Sequence, residues 1–215
     1  MINRWTLKNY YLYKQHTSLK FDMTHLIISA HPSPRSFTNY LASELESRYK
    51  AAGMSVVWRN LYKGSFKAVL DPDDLEALKT SDIPSDIKAE QELIRNADLI
   101  SIVYPLWWAS FPAILKGYID RVLTKGFAFD YGPDGAKGLL QGKQVLIHTT
   151  MGNSVAEYNR KGLLEAFRAI QGKEVFEYCG MEVVGHQFYE EITSADKEKR
   201  EEYLRCALNM YPEIN

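Results

Sequence analysis

The sequence predicts an α/β fold in which a doubly wound, five-stranded parallel sheet is covered by helices on both faces, giving three layers. Three observations indicate this fold. From Met23 onward the chain alternates short apolar runs with helical patterns. The run DLISIVY (98–104) is apolar throughout, as expected for a strand with both faces covered. Five strands separated by helices require crossover connections, which place the strands parallel to one another.

The first half of the chain supplies three strands and the helices between them. Gly53 ends the helix after the first strand, and the apolar residues on one face of that helix are Leu41, Leu45, Tyr49 and Ala52. Residues 62–84 are rich in turn formers and predict an irregular excursion with one short helix. Ser85 is predicted to cap a helix over 86–97. The strands are predicted at 25–30 (HLIISA), 55–61 (SVVWRNL) and 98–104.

The second half completes the sheet. Pro112 suits the first turn of a helix that follows the third strand. Two further strands are predicted at 143–150 (KQVLIHTT) and 182–189 (EVVGHQFY), with helical segments over about 160–179 between them. Ser194 is predicted to open a charged terminal helix. We therefore expect one domain over 23–215, which is long enough to bury a proper core.

Composition excludes several classes of function. The net charge is −1, so neither nucleic acid nor an anionic membrane surface is expected as a partner. No apolar run approaches the roughly 20 residues that cross a bilayer, and residues 1–22, read as an appendage, are too polar for a signal peptide. Cys179 and Cys206 have no metal-site or redox spacing, so we expect no metal and a reducing, cytoplasmic location.

Unusual loops follow three of the predicted strands. In an open parallel sheet, ligands bind outside the carboxyl ends of the strands. Three loops at those ends carry polar, glycine or aromatic residues, a coincidence that packing alone explains poorly. They are HPSPRSFT (31–38), PLWWASFP (105–112) and TTMGNS (149–154).

The first loop suits a phosphate. Its histidine and hydroxyl residues precede a helix, whose unpaired N–H groups and positive dipole end attract an anion. An ordinary helix cap is the competing interpretation of the same residues. The loop has neither the dinucleotide fingerprint nor the P-loop pattern, so a dehydrogenase of the Rossmann type and a nucleoside triphosphatase are disfavoured.

The second and third loops suit a flat heteroaromatic ring. Pro105 ends its strand and leaves backbone groups at the sheet edge, where such a ring can form hydrogen bonds. Trp108 offers apolar surface for stacking, although an aromatic pair alone more often belongs to a core or an interface. The third loop adds hydroxyl, amide and glycine groups from Thr149 to Asn153.

These fragments together resemble a known family. The stretches AHPSPRSF, PLWW…PAILKGYIDRV, GFAFDYG and TTMG…Y stand in the order and spacing of the flavodoxin-like NAD(P)H:quinone oxidoreductases, and the resemblance runs from about Thr24 to Tyr189. It implies strand order 2-1-3-4-5, a tightly bound flavin and a homodimer. It also implies hydride transfer from NAD(P)H through the flavin to a small-molecule acceptor such as a quinone, in ping-pong order.

The resemblance also assigns roles to residues. Tyr158 is implied as the catalytic residue, which stabilises negative charge on the reduced flavin, and Trp108, Phe129 and Tyr131 are implied to border the acceptor pocket. The flavin is implied to be FMN, because little chain follows Tyr189, with FAD as the alternative. The implied flavin-binding residues are His31, Ser36, Phe37, Thr38, Pro105, Leu106, Trp107, Trp108, Thr150, Met151, Gly152 and Asn153.

Departures from the family pattern leave the acceptor and the route of proton delivery open. Trp107 stands where many relatives have glutamine, and Ala109 stands where they have an aromatic residue. Other classes also remain open. A regulatory subunit of a glutathione-gated potassium efflux system would share every motif. The loop HPSPRSFT (31–38) and the net charge of −1 disfavour a one-electron flavodoxin carrier. A receiver-like domain is disfavoured because paired acidic residues are missing after the first strand.

Overall fold

The central sheet has five parallel strands. A computed structural model describes residues 23–64, 66–80 and 82–210, and the predicted appendage, 1–22, lies outside them. The strand order is β2-β1-β3-β6-β7, which is 2-1-3-4-5 among the parallel strands, so the predicted fold and order are confirmed. These strands are β1 (Thr24–Ser29), β2 (Ser55–Asn60), β3 (Leu99–Pro105), β6 (Gln144–Thr150) and β7 (Glu182–Tyr189).

Helices pack on both faces of this sheet. All seven residues of β3 are buried, which accounts for its unbroken apolar sequence. One apolar cluster includes Ile28, Ile102 and Tyr118, and another includes Ile27, Val103 and Tyr203. The helices are α1 (Phe37–Ala51), α2 (Pro72–Thr80), α3 (Ser85–Asn96), α4 (Ala113–Val122), α5 (Val155–Arg160), α6 (Leu163–Phe167) and α7 (Lys197–Asn209), and α6 continues into a π-helix (Arg168–Glu177).

Three helix starts differ from the predicted ones. Ser85 is the first residue of α3 rather than its cap, because extended Pro84 occupies the N-cap position. Pro112 likewise stands at the N-cap of α4, one residue before the helix. Ser194 does not open α7; its hydroxyl donates to the carbonyl of Glu191, and Asp196 caps the helix by accepting from the N–H of Lys199 at 2.8 Å.

Two elements were not predicted. The stretch after α4 contains a hairpin of β4 (Phe129–Gly132) and β5 (Gly135–Gly138), which pair with each other and not with the main sheet. The π-helix lies inside the region predicted as helical. Its buried residues, together with Phe167 before it, recur every fourth or fifth position (Gln171, Gly172, Phe176), which reflects wider helical turns than those of an α-helix.

The excursion between β2 and α3 is tied down by one buried cation. The guanidinium of Arg121 on α4 donates to both carboxylate oxygens of Asp74, at 2.8 and 2.9 Å, and to Asp86 at 2.8 Å. A further N–H donates to the carbonyl of Lys67. The pKa of Asp74 is lowered, chiefly by its hydrogen bonds with Arg121.

Over the described residues, no helix is long and apolar enough to span a membrane.

Candidate functional site

The three unusual loops meet in one open cavity at the carboxyl edge of the sheet. Its volume is about 500 Å³, within the ordinary range of small-molecule sites. Tyr158 and every residue predicted to bind the flavin, except Trp108, line it. Five further residues, not predicted from the sequence, also line it: Ser33, Arg35, Ile192, Thr193 and Arg200.

The first loop is shaped by a buried amide at the start of α1. The Nδ2 of Asn39 donates to the carbonyl oxygens of His31 and Ser33, at 3.0 and 2.9 Å. Its Oδ1 accepts from the hydroxyl of Ser29 and from the amide of Asn60, both at 3.2 Å. All hydrogen-bonding groups of this amide therefore serve to fix the loop. The sequence signal for it was only a polar residue on the helix face that turns towards the sheet.

His31 presents one ring nitrogen as a donor. Its Nδ1 accepts the N–H of Ser33 at 3.0 Å, which leaves the proton of the neutral ring on Nε2. Burial lowers the pKa of His31, so the neutral form is favoured. The exposed guanidinium groups of Arg35 and Arg200 supply positive charge to the same cavity. The N-terminus of α1 adds the positive end of a helix dipole, so this end of the cavity suits an anion.

The side chains of Phe37 and Thr38, two of the predicted flavin-binding residues, make contacts within the protein. The hydroxyl of Thr38 lies 3.0 Å from that of Thr150, a buried bond that joins the first loop to the third. The ring of Phe37 packs edge-on against Tyr189 and Tyr203 in the core. Phe37 and Thr38 can therefore offer a ligand their backbone N–H groups at the helix start, whereas the ring of Phe37 packs into the core.

The second loop is a tight turn. The N–H of Trp107 donates to the carbonyl of Ser110 at 3.2 Å, and the reverse bond measures 3.0 Å. The two central residues, Trp108 and Ala109, are left-handed, with φ of +50° and +59°. The backbone N–H and carbonyl of Trp107 are both bonded within the turn. Its indole faces the cavity instead, with the ring centroid 5.5 Å from that of His31.

The third loop is held from the far side by the end of β7. The N–H of Met151 donates to the carbonyl of Tyr189 at 2.8 Å, and its carbonyl accepts from Ile192 at 3.0 Å. Met151 is buried in an apolar cluster with Leu106 and Phe167, so its side chain packs beneath the surface of the cavity. The exposed Gly152 and Asn153 are therefore the residues of this loop that can meet a ligand with their backbone.

Tyr158 reaches the cavity from the short helix α5. Its ring is half-buried and packs edge-on against Phe167, with centroids 5.4 Å apart. The helix start is fixed twice, since Ser154 caps the N–H of Glu157 and a carboxylate oxygen of Glu190 accepts the N–H of Val155 at 2.6 Å. These contacts set the position of the Tyr158 ring at one wall of the cavity.

The residues predicted to border an acceptor lie elsewhere. Trp108 is fully exposed at the tip of its turn, and Tyr131 is 63% exposed on the β4–β5 hairpin. Phe129 packs beside Tyr131 and Tyr178, at 5.8 and 5.3 Å between ring centroids. Among the described residues, the structure thus separates these three aromatic side chains from the cavity of a single chain.

Comparisons with known proteins agree with the fold. A family model described as flavodoxin-like fold matches residues 23–210. An uncharacterised NAD(P)H oxidoreductase of Haemophilus influenzae is 39% identical over 186 residues, covering 86% of this chain and 92% of the relative. Human ribosyldihydronicotinamide dehydrogenase (quinone) is 33% identical over 196 residues, covering 81% and 85%. The solved NAD(P)H:quinone oxidoreductase of Methanothermobacter marburgensis has a TM-score of 0.78 and 26% identity, covering 87% and 94%.

Proposed function

The chain belongs to the family of flavodoxin-like fold, and from this premise we propose that it is a flavin-dependent NAD(P)H oxidoreductase acting on quinones or related small acceptors. One observation carries the proposal. Three loops from three strand ends combine an anion-binding end with an apolar, aromatic wall in a single cavity. The names of the Haemophilus, human and Methanothermobacter proteins support the same class of reaction.

The donor set of the cavity fits a flavin. The phosphate would meet Nε2 of His31, the hydroxyl of Ser36 and the N–H groups that begin α1. Leu106 and the indole of Trp107 offer apolar surface for the ring system. Gly152 and Asn153, which also line the cavity, offer backbone hydrogen-bonding groups. A cavity of this size and mixed polarity is typical of cofactor sites.

The protein's own residues would orient and stabilise, while the cofactor supplies the redox chemistry. A bound flavin would supply the chemistry that links a hydride from NAD(P)H to two-electron reduction of a quinone, in ping-pong order. The hydroxyl of Tyr158 would hold a hydrogen bond to the ring edge where negative charge develops. Apolar walls built on Leu106 and Met151 would keep water from that edge. Stacking of donor and acceptor in turn would supply positioning.

We propose FMN as the flavin, with FAD as the alternative. The anion-binding residues and the apolar wall account for the ring and one phosphate of FMN. Ile192, Thr193 and Arg200 also line the cavity, and they would suit the second phosphate and the adenosine of FAD. The cytoplasmic location of the protein remains a prediction.

The experiment is to purify the protein, record its visible absorbance, release the flavin by heat and separate it by chromatography. We expect a yellow protein that carries FMN and oxidises NAD(P)H in the presence of a quinone. A predominance of FAD would overturn the FMN assignment but keep the class of enzyme. A colourless protein that fails to bind either flavin when titrated would overturn the proposed function.

A further inference from the structure

The turn from Trp107 to Ser110 is held in a conformation that its residues do not favour. Left-handed backbone is sterically unfavourable for an L-residue, and turns with two such central residues usually use glycine or asparagine. Here tryptophan and alanine occupy both central positions. Such strain persists only where the surrounding structure over-determines the geometry. The turn therefore needs a brace.

A buried glutamine supplies this brace. The Nε2 of Gln171 donates to the carbonyl of Ala109 at 3.0 Å, and its Oε1 accepts from the hydroxyl of Tyr104 at 2.6 Å. Gln171 is 2% exposed and Tyr104 is fully buried. Because a carbonyl can only accept, the amide of Gln171 must face Ala109, which fixes the direction of both bonds. Burial raises the pKa of Tyr104, so its hydroxyl stays a donor.

The π-helix brings Gln171 to this place. Gln171 and Phe176 are both buried, five positions apart, on the face that packs towards the sheet. Single turns of π-helix occur frequently at functional sites. Here the ten-residue π-helix carries the Gln171 amide, which bonds Tyr104 on β3 on one side and the turn from Trp107 to Ser110 on the other. This buried path ends at the backbone of Ala109, two residues from the indole that lines the cavity.

We propose that Gln171 is a positioning residue, which holds the strained turn so that Trp107 faces the cavity and Trp108 stays outside it. The proposal rests on the proposed function for its consequence, namely flavin affinity, but not for its structural content. Losing Gln171 would let the turn relax, and the indole of Trp107 would leave its place beside His31. No substrate or cofactor atom needs to touch Gln171 for this effect.

The test uses Gln171→Met, which keeps the length of the side chain and removes both hydrogen bonds. Hydrogen–deuterium exchange of the segment 106–111 is measured in the flavin-free protein, and the flavin dissociation constant is measured by titration with FMN and FAD. We expect exchange to accelerate and flavin binding to weaken by about tenfold each, within the range for a buried hydrogen bond left unmade. Gln187→Met is the matched control, since Gln187 bonds the carbonyl of Phe188, outside the cavity.

A double variant separates positioning from packing. Glycine adopts left-handed backbone without strain, so Ala109→Gly should restore slow exchange and flavin affinity to Gln171→Met. If Gln171 only fills the core, this rescue will fail, and failure overturns the proposal. Unchanged exchange in Gln171→Met also overturns it. Should that variant not fold, Tyr104→Phe keeps the ring and removes the hydroxyl that orients the Gln171 amide, and exchange of 106–111 should again accelerate. If exchange responds as expected but the wild-type protein binds no flavin, the proposed function is wrong, whereas the positioning role of Gln171 is supported.

Discussion

Tyr158 brings a hydroxyl to the cavity on a ring whose position is fixed by packing. The ring contacts Phe167, and the helix that carries it is pinned at its start by Ser154 and Glu190. A donor held in place before the reaction stabilises developing charge without reorganisation. Removing the hydroxyl alone should therefore affect the rate of flavin reduction more than the binding of flavin.

We expect Tyr158→Phe to keep its flavin and to lose about tenfold to a hundredfold in the rate of flavin reduction by NAD(P)H. This loss lies below the upper range for oxyanion donors, because the N–H groups of Gly152 and Asn153 belong to the same wall. Anaerobic stopped-flow absorbance measures the rate, and Tyr62→Phe, a partly exposed tyrosine outside the cavity, is the control. A normal rate at full flavin occupancy would mean that Tyr158 is only a wall of the cavity.

Individual residues show how far a sequence can specify this site. The strand ends were predictable because apolar runs stop at His31, Pro105 and Thr150, and parallel strands bring their carboxyl ends to one edge. The role of Asn39 was not, because its four side-chain bonds reach the ends of two strands and the loop between β1 and α1, which come together only in the folded chain. Trp108 lies outside the cavity of the single chain for a local reason: the left-handed turn directs it outward, and the sequence WW does not show which of the two rings faces the cavity.

In helix α4, a glycine with poor helix propensity allows close packing against a neighbouring segment. Gly117 lies mid-helix, where glycine costs about 1 kcal/mol relative to alanine. A Cβ at this position would stand 1.8 Å from the carbonyl oxygen of Ala68. The backbone of the excursion thus passes directly over the helix, and Arg121, one turn further on, secures the same segment through Asp74 and the carbonyl of Lys67.

Gly117→Ala should therefore destabilise the protein despite the better helix propensity of alanine. We expect a loss of about 1–3 kcal/mol in the free energy of unfolding, because the excursion must move away from the helix. Gly172→Ala is the matched control: its nearest neighbour, Cδ1 of Ile147, lies at 3.6 Å, an ordinary contact. Urea denaturation measures both variants. Equal stability of the two would contradict the close approach at Ala68.

The same scale shows which elements the sequence specified well. All five strands of the sheet were located to within a residue or two, the buried β1, β3 and β6 as well as the partly exposed β2 and β7. The β4–β5 hairpin was missed because its short strands contain three glycines and hardly any apolar alternation. The π-helix was missed because its widened spacing, from Phe167 through Gln171 to Phe176, depends on packing against the sheet and not on any local motif.

At the scale of the whole molecule, aromatic side chains are exposed at two places outside the cavity. Trp108 is fully exposed, and Tyr131 lies on the hairpin beside Phe129. The family resemblance implies a homodimer, and exposed apolar patches often mark an interface. We therefore predict a twofold homodimer in which Phe129 or Tyr131 of one subunit lies near the cavity of the other, which would reunite the predicted acceptor residues with the flavin site.

Light scattering at assay concentration should show a dimer, and Tyr131→Ala should raise the KM for the acceptor while the flavin stays bound. Tyr62→Ala, which removes another partly exposed tyrosine, should leave that KM unchanged. A fully active monomer would disprove the shared site. A dimer in which Tyr131→Ala has no effect on KM would disprove the role of the hairpin.

Buried histidines link the stability of the whole molecule to pH. Burial lowers the pKa of His25, His148 and His186 to about 3 each. His25 and His148 are fully buried, bonded to Ser101 and to the hydroxyl of Tyr189, and His186 contacts Thr149. In the unfolded chain each would titrate near its ordinary value of about 6.5. The unfolded state therefore binds more protons whenever the pH lies between these values.

The sign follows from this difference: the stability is complete above about pH 6.5 and is lost as the pH falls towards 3. Each histidine contributes a slope of up to about 1.4 kcal/mol per pH unit, so three give up to about 4 kcal/mol per unit. Between about pH 6 and pH 5 most carboxylates are still ionised, so this window isolates the histidines. We expect the urea midpoint to fall steeply there, and His148→Gln to reduce the slope by about a third. A midpoint that stays constant across the window would show that the three rings are hydrated in the folded protein.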